Sequence, residues 1–297
     1  MPSLTYASPA TAQEAVALLA GASGTAKLLS GGTDLLVQLR SGRVKPDLIV
    51  DTKHIDGIMG IRQENGGWII GAATPGAVIE AHEGLKKDWP GVVEAMDLIG
   101  STQIQGRATL VGNLCNASPA ADSVPAMIAA GAIAVVVGGK GTREVPVEQI
   151  PVSPGRTSLA KDEFVLAIKL PARPARTGDA YLRMIPRTEM DIAVVGCGIC
   201  VTLDEKGVCT AAKVSLGAVA PTPLIVEDAA AALIGHTLDD ATLARLDAAA
   251  RVICNPINDK RGTIDYRTKV AGVLARRTAT IAFDRAKGIT HPAKVHH

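Results

Sequence analysis

Two Trp, three Tyr and two Phe are the only aromatic side chains among 297 residues. A core of this size therefore has to be built from Ala, Val, Leu and Ile. The hydrophobic content of 47% is enough for substantial burial, and the length predicts two domains. A net charge of +2, with no basic stripe carrying interleaved aromatics, gives no electrostatic case for nucleic acid. The first residues lack a basic region followed by an apolar one, so no secretory signal is expected. The longest uncharged apolar stretch, Val124 to Gly139, is too short to span a bilayer and contains Pro125 and three glycines. No membrane span is expected, and the expected compartment is the cytoplasm.

Five cysteines in such a chain read as reduced thiols. Cys197 and Cys200 have CxxC spacing but sit in the apolar run Ile192–Val201, which reads as a buried strand. Side chains three apart on a strand face opposite ways, and no second CxxC or histidine pair completes a metal site. They are read as small core residues.

Along the chain, Ala12–Leu19 reads as a helix, with Thr11 and Glu14 forming a capping box. Lys27–Leu29 is a short strand, and a helix starts near Leu35. Pro46–Asp51 and Trp68–Ala72 read as strands separated by a turn at Asn65-Gly66-Gly67. Helices are expected near Pro75–Glu80, Gly91–Met96 and Val124–Ala130. Ile133–Val137 and Arg143–Val147 form a hairpin whose turn, Gly138-Gly139-Lys140-Gly141, lacks the phosphate-loop pattern. After the strand Phe164–Leu170, a Pro- and Arg-rich segment, Pro171–Gly178, marks a domain boundary. Then come strands Ile192–Leu203 and Ala212–Val219, and helices Val226–Ile234, Asp240–Cys254 and Tyr266–Lys287. Val270, Val273, Leu274 and Ile281 are expected to form a buried stripe on the last helix. The mixture predicts an α+β architecture, and the absence of Gly-x-Gly-x-x-Gly after a strand argues against a Rossmann fold.

Two segments carry chemistry. Leu29-Ser30-Gly31-Gly32-Thr33-Asp34-Leu35-Leu36 and the stretch from Thr109 to Asp122 each set glycines and small polar residues beside an apolar run. Backbone amides approach a phosphate closely only where side chains are absent. Short hydroxyl and amide side chains supply directional hydrogen bonds. A large phosphate-bearing ligand and two tight turns of a glycine-rich fold explain the pair equally well on these residues alone.

The pair also resembles the Gly-Gly loop and the Gly-Asn…Ser-Pro…Asp loop of the FAD-binding subunit of molybdenum hydroxylases. That family includes the carbon monoxide dehydrogenase medium subunit and the xanthine dehydrogenase flavin domain. Tyr6, Pro9 and Glu14-Ala15 are similar to its opening strand and helix; Asp265-Tyr266-Arg267 and Val273–Arg277 are similar to its closing helix. The resemblance implies a two-part FAD-binding domain of the PCMH type over 1–175, a smaller α+β C-terminal domain with antiparallel strands and helices over 176–290, and a disordered tail over 291–297. It implies that Ser30, Gly31, Gly32, Thr33 and Asp34 wrap the FAD pyrophosphate. Thr109, Gly112, Asn113, Asn116 and Asp122 would hold the other side of the cofactor. Val165 would pack against the flavin or adenine, and Arg183, where the family usually has Lys, would lie near the flavin pyrimidine edge. The implied partners are a molybdopterin-binding large subunit and a [2Fe-2S] small subunit in a hetero-oligomer, with this chain relaying electrons to an acceptor. No Ser-His-Asp set or cluster-binding cysteine set is found; His54, His82 and His236 are isolated, and His291, His296 and His297 are terminal. The alternatives are a self-sufficient flavin reductase resembling UDP-N-acetylenolpyruvoylglucosamine reductase and a non-redox nucleotide-binding scaffold subunit.

Overall fold

The computed structural model describes residues 4–187 and 189–290, so the expected tail and its three histidines lie outside the described residues. The chain opens with a small parallel sheet of order β1-β3-β2, built from β1 (Thr5–Ala7), β2 (Ala26–Leu29) and β3 (Leu48–Asp51). Between β1 and β2 runs α1 (Ala12–Gly21), whose capping box is present: Glu14 N–H donates to the Thr11 hydroxyl oxygen, and the Glu14 carboxylate accepts from the Thr11 amide. Between β2 and β3 lies α2 (Leu35–Arg40).

A five-stranded antiparallel sheet of order β4-β5-β10-β6-β7 follows. Its strands are β4 (Ile61–Glu64), β5 (Gly67–Gly71), β6 (Ile133–Gly138), β7 (Gly141–Pro146) and β10 (Phe164–Leu170). A separate two-stranded ribbon of β8 (Pro151–Ser153) and β9 (Arg156–Thr157) precedes β10. The turn at Asn65-Gly66 is real, and both residues have positive φ. It joins β4 to β5, however, and Pro46–Asp51 instead supplies the centre of the parallel sheet. The sequence hides β4 because Arg62, Gln63 and Glu64 are exposed polar residues of an edge strand, leaving no apolar run to read.

Six helices are inserted between β5 and β6: α3 (Gly76–Glu80), α4 (Glu83–Asp88), α5 (Pro90–Asp97), α6 (Thr102–Gln105), α7 (Leu110–Cys115) and α8 (Ser123–Ala129). Every residue of α8 is buried. It packs on the C-terminal sheet of β11 (Thr177–Met184), β12 (Val195–Leu203), β13 (Cys209–Gly217) and β14 (Leu224–Ile225), in that order. The approach is close, since a Cβ on Gly198 would overlap the Pro125 carbonyl. β11 begins within the Pro- and Arg-rich segment that reads as a boundary, which is why its eight residues escape the sequence pattern.

The last helices are α9 (Glu227–Leu233), α10 (Asp240–Val252) and α11 (Ile264–Ala286). α11 lies on β11 and β12, and its buried stripe differs from the one expected. Leu274 is buried, but Val270, Val273 and Ile281 are half-buried. The seam is Ala271, Ala275, Ala279, Ala282 and Ala286 with Phe283. Alanine lets the helix backbone press onto the sheet, so close that a Cβ on Gly178 would overlap the Ala282 carbonyl. Cys197 faces this second core while Cys200 faces the first, as strand alternation requires.

The C-terminal sheet is locked to the N-terminal helices through Asp179, which is 2% exposed. Its carboxylate accepts from Arg173 Nη1 at 2.7 Å and from the Gly91 amide at 2.8 Å. Arg285 of α11 donates to the Asp179 carbonyl at 2.8 Å and holds Glu94 of α5 with both terminal nitrogens. Removing one member of a buried pair leaves an uncompensated charge, which costs about 3–5 kcal/mol. Asp179→Ala should therefore lower the urea midpoint by an amount equivalent to about 3 kcal/mol. A midpoint within error of wild type would show that the junction does not depend on this group.

Candidate cofactor site

Both strands β2 and β3 end at the same edge of the parallel sheet, and β2 runs directly into Ser30–Asp34. Ligands of open parallel sheets sit beyond the carboxyl ends of the strands, and here a cleft of about 340 Å³ opens at that edge. Its far wall comes from α7, from β10 and from the segment between β9 and β10.

The first loop is shaped by its glycines. Gly32 has φ +80°, a left-handed conformation that a side chain would strain. Gly31 lies so close to the second segment that a Cβ would overlap the Arg107 carbonyl oxygen. The amide N–H groups of Gly31, Gly32, Thr33 and Asp34 donate to no protein acceptor among the described residues. Four donors without a protein partner thus sit on one loop that lines the cleft, a donor set of the kind that can receive an anion. Behind it, Lys53 Nζ donates to Asp51 at 2.6 Å and to the Ser30 carbonyl at 3.5 Å.

The second segment is not an extended loop but contains α7, with Thr109 as its N-cap. The Thr109 hydroxyl oxygen accepts from the Gly112 amide at 2.9 Å, so that amide is already used. Asn113 Oδ1 accepts from the Ser123 amide and hydroxyl at 3.2 and 2.7 Å, which leaves its NH₂ group as the donor available to the cleft. Val165, buried on β10, supplies apolar wall.

Ten of the twelve residues read from the sequence line this one cleft: Ser30, Gly31, Gly32, Thr33, Asp34, Thr109, Gly112, Asn113, Asn116 and Val165. Asp122 and Arg183 do not line it. They meet each other, with Arg183 Nη1 donating to Asp122 at 2.7 Å and the Tyr181 hydroxyl donating to the same carboxylate at 2.9 Å. Lining residues that escape the sequence reading include Lys27, Thr52, Phe164 and Lys161, which donates to the Ala22 carbonyl at 2.5 Å. Thr52 was within reach, because it follows the carboxyl end of β3. Only the parallel pairing of β3 with β2 brings that end to the cleft. Cys115 also lines the cleft, but burial pushes its thiol up to about 12, so it stays neutral and non-nucleophilic.

Residues 2–173 match the family described as the FAD binding domain in molybdopterin dehydrogenase, and residues 180–282 match the CO dehydrogenase flavoprotein C-terminal domain. The chain belongs to this family. It is 33% identical to the carbon monoxide dehydrogenase medium chain of Afipia carboxidovorans over 96% of this chain and 98% of that one. It is 29% identical to the xanthine dehydrogenase FAD-binding subunit of Escherichia coli O157:H7, over 95% and 97% of the two chains. A solved carbon monoxide dehydrogenase from Hydrogenophaga pseudoflava superposes with a TM-score of 0.91 at 32% identity, over 96% of this chain and 99% of that chain. The resemblance read from four sequence blocks thus extends over nearly the whole length, and so does the expected fold. As a member of this family, the chain is an oxidoreductase subunit whose N-terminal part is an FAD-binding domain. Among the described residues, no helix is long and apolar enough to cross a membrane, and no group of His, Cys, Asp or Glu is arranged to hold a metal.

The Asp122 network joins this family's two matched segments. Burial pushes the Asp122 carboxyl up to about 6, with Arg183 and Tyr181 pulling it back only in part. A carboxyl that titrates in the folded state above its ordinary value of about 3.9 holds its proton more tightly than the unfolded chain does. Its contribution to stability is complete below about pH 4 and lost as the pH rises through about 6. Relative to Asp122→Asn, the wild type should therefore lose stability between pH 4 and 7, measured by urea titration at each pH. A constant difference would contradict the buried titration.

Proposed function

We propose that the chain is the FAD-carrying electron-transfer subunit of a multi-subunit molybdenum hydroxylase, working beside a molybdopterin-binding large subunit and a [2Fe-2S] small subunit. The observation that carries this reading is the row of unpartnered amides from Gly31 to Asp34, on residues that line one cleft together with Asn113 and the apolar Val165. That donor set fits a dinucleotide with a pyrophosphate at its centre. Gly31, Gly32, Thr33 and Asp34 would hold the pyrophosphate through their amides, with the Lys53 charge behind them. Asn113 would donate a hydrogen bond across the cleft, and Ser30, Thr109, Gly112 and Asn116 complete the polar lining. Val165 would pack against a ring.

Bound FAD supplies the ability to exchange electrons singly with clusters and in pairs with an external acceptor. The chain's own part is to bind, orient and shield it. Asp122 and Arg183 act in this reading from behind the cleft wall. With Tyr181 they pin the segment between α7 and α8, which carries Asn116, against the C-terminal domain. The division at 175/176 belongs to the same proposal and is supported by the two matched intervals and the two separate cores. So does a cytoplasmic location, supported by five free cysteines. Full-length likeness to dehydrogenase medium chains favours this reading over a self-sufficient reductase.

FAD should be bound without a covalent tether, because the cleft's one cysteine is neutral. Acid precipitation should release yellow FAD into the supernatant, whereas colour retained in the pellet would contradict this. Gly32→Val should lose FAD while the chain stays folded by circular dichroism, since a β-branched residue at φ +80° is strained by about 1–3 kcal/mol and crowds the loop. Unchanged affinity would remove the loop from the site.

The isolated chain should oxidise no organic substrate, yet its flavin should bleach anaerobically when the molybdenum and iron–sulfur partners and their substrate are added. Substrate oxidation by the chain alone, at the rate of the complex, would replace the relay with a self-sufficient enzyme.

A further inference from the structure

Among the described helices, α2 stands apart in how little of it is covered. Its sequence is Leu-Leu-Val-Gln-Leu-Arg, yet none of its residues is buried. Leu36 is 50% exposed and Val37 66%. The last residue of α2, Arg40, and the turn that follows, with Arg43 and Lys45, carry cations that are all exposed and without an ion-pair partner among the described residues. No acidic residue occurs from Leu35 to Pro46, so nothing in the segment neutralises these cations. Arg107, also exposed, brings its backbone to the same loop, where its carbonyl contacts Gly31. Two exposed apolar side chains on a helix followed by exposed, unpaired cations have the composition of a protein interface, with an apolar centre and a charged rim.

We infer that α2 and the turn to Lys45 form a docking surface for a partner polypeptide whose contact face presents carboxylates around an apolar side chain. The inference rests on the reading above, because the partner meant is a subunit of the same complex. Charge complementarity selects the acidic face. The position of the helix gives docking a consequence. The Leu36 amide donates to the Gly32 carbonyl at 3.0 Å, and Leu36 Cδ1 lies 3.3 Å from where a Gly32 Cβ would be. A partner seated on Leu36 and Val37 therefore braces the glycine loop, and assembly and cofactor retention strengthen one another reciprocally. A lipid surface is a poorer occupant, because six helical residues with two exposed apolar side chains offer little to insert.

The test uses the complex purified from its own host through an affinity tag on this chain, with its subunits identified by mass spectrometry. They are separated in about 1 M salt, where the Debye length is about 3 Å, and then remixed. Arg40→Glu/Arg43→Glu should weaken reassociation at least about tenfold and flatten its dependence on ionic strength. Val37→Asp should weaken it through the apolar centre, and FAD should leave the remixed variants faster than the remixed wild type. The melting temperature of each variant chain should match wild type, and Arg276→Glu/Arg277→Glu on the far helix should change affinity less than about twofold. Equal reassociation of Arg40→Glu/Arg43→Glu and wild type would overturn the proposal. So would a tagged chain that purifies alone with FAD bound, or Arg40- and Arg43-dependent binding to phosphatidylserine vesicles in place of any subunit. FAD content, read from the visible spectrum, reports on the functional reading separately. A docked chain without flavin would sink that reading and leave the surface standing.

Discussion

The contact on which the site depends is the approach of Gly31 to the Arg107 carbonyl. Two segments far apart in sequence can form one cleft only if their backbones come nearer than any Cβ would allow. One segment hangs from the carboxyl end of a parallel strand, and the other opens a short helix capped by Thr109. Pressing them together places free amides on one side of the cleft and the Asn113 NH₂ group on the other. A methyl group at residue 31 would separate those walls without altering a single donor.

The second dependence runs through the C-terminal domain, which supports the site while standing outside it. The Ala218 amide donates to the Pro119 carbonyl at 2.7 Å, and Tyr181 and Arg183 hold Asp122 from β11. All three bonds reach the segment joining α7 to α8, so the wall that carries Asn116 is fixed from behind. The Asp179 network, at the start of β11, ties the same domain to α5. Cofactor geometry and domain docking are thus coupled through one strand.

Scarcity of aromatic residues is resolved by thin layers. In place of rings between helix and sheet, α11 offers an alanine seam, and Gly178 and Gly198 remove the remaining bulk. Dispersion between closely spaced backbones and small side chains takes the place of a few large contacts. Such packing leaves little room for substitution, because the nearest atoms are backbone carbonyls that cannot rotate away.

Beyond the ten cleft residues, which the family resemblance supplied, local pattern alone determined the capped helices, the strands of continuous apolar character, the opposite-facing Cys197 and Cys200, and the two glycine-bearing segments. Each follows from periodicity, capping chemistry or the special freedom of glycine, which act over a few residues. Only the tertiary structure decided that β3 pairs in parallel beside β2, that β4 is the hairpin partner of β5, and that Thr177–Met184 is a strand. Strand partnership is a long-range choice, made by which apolar faces find cover, and polar edge residues carry no mark of it. The same holds for Asp122 and Arg183. Their residue types suit a ligand as well as each other, and the fold pairs them, buried, between the two matched segments, where an unpaired charge would be costly.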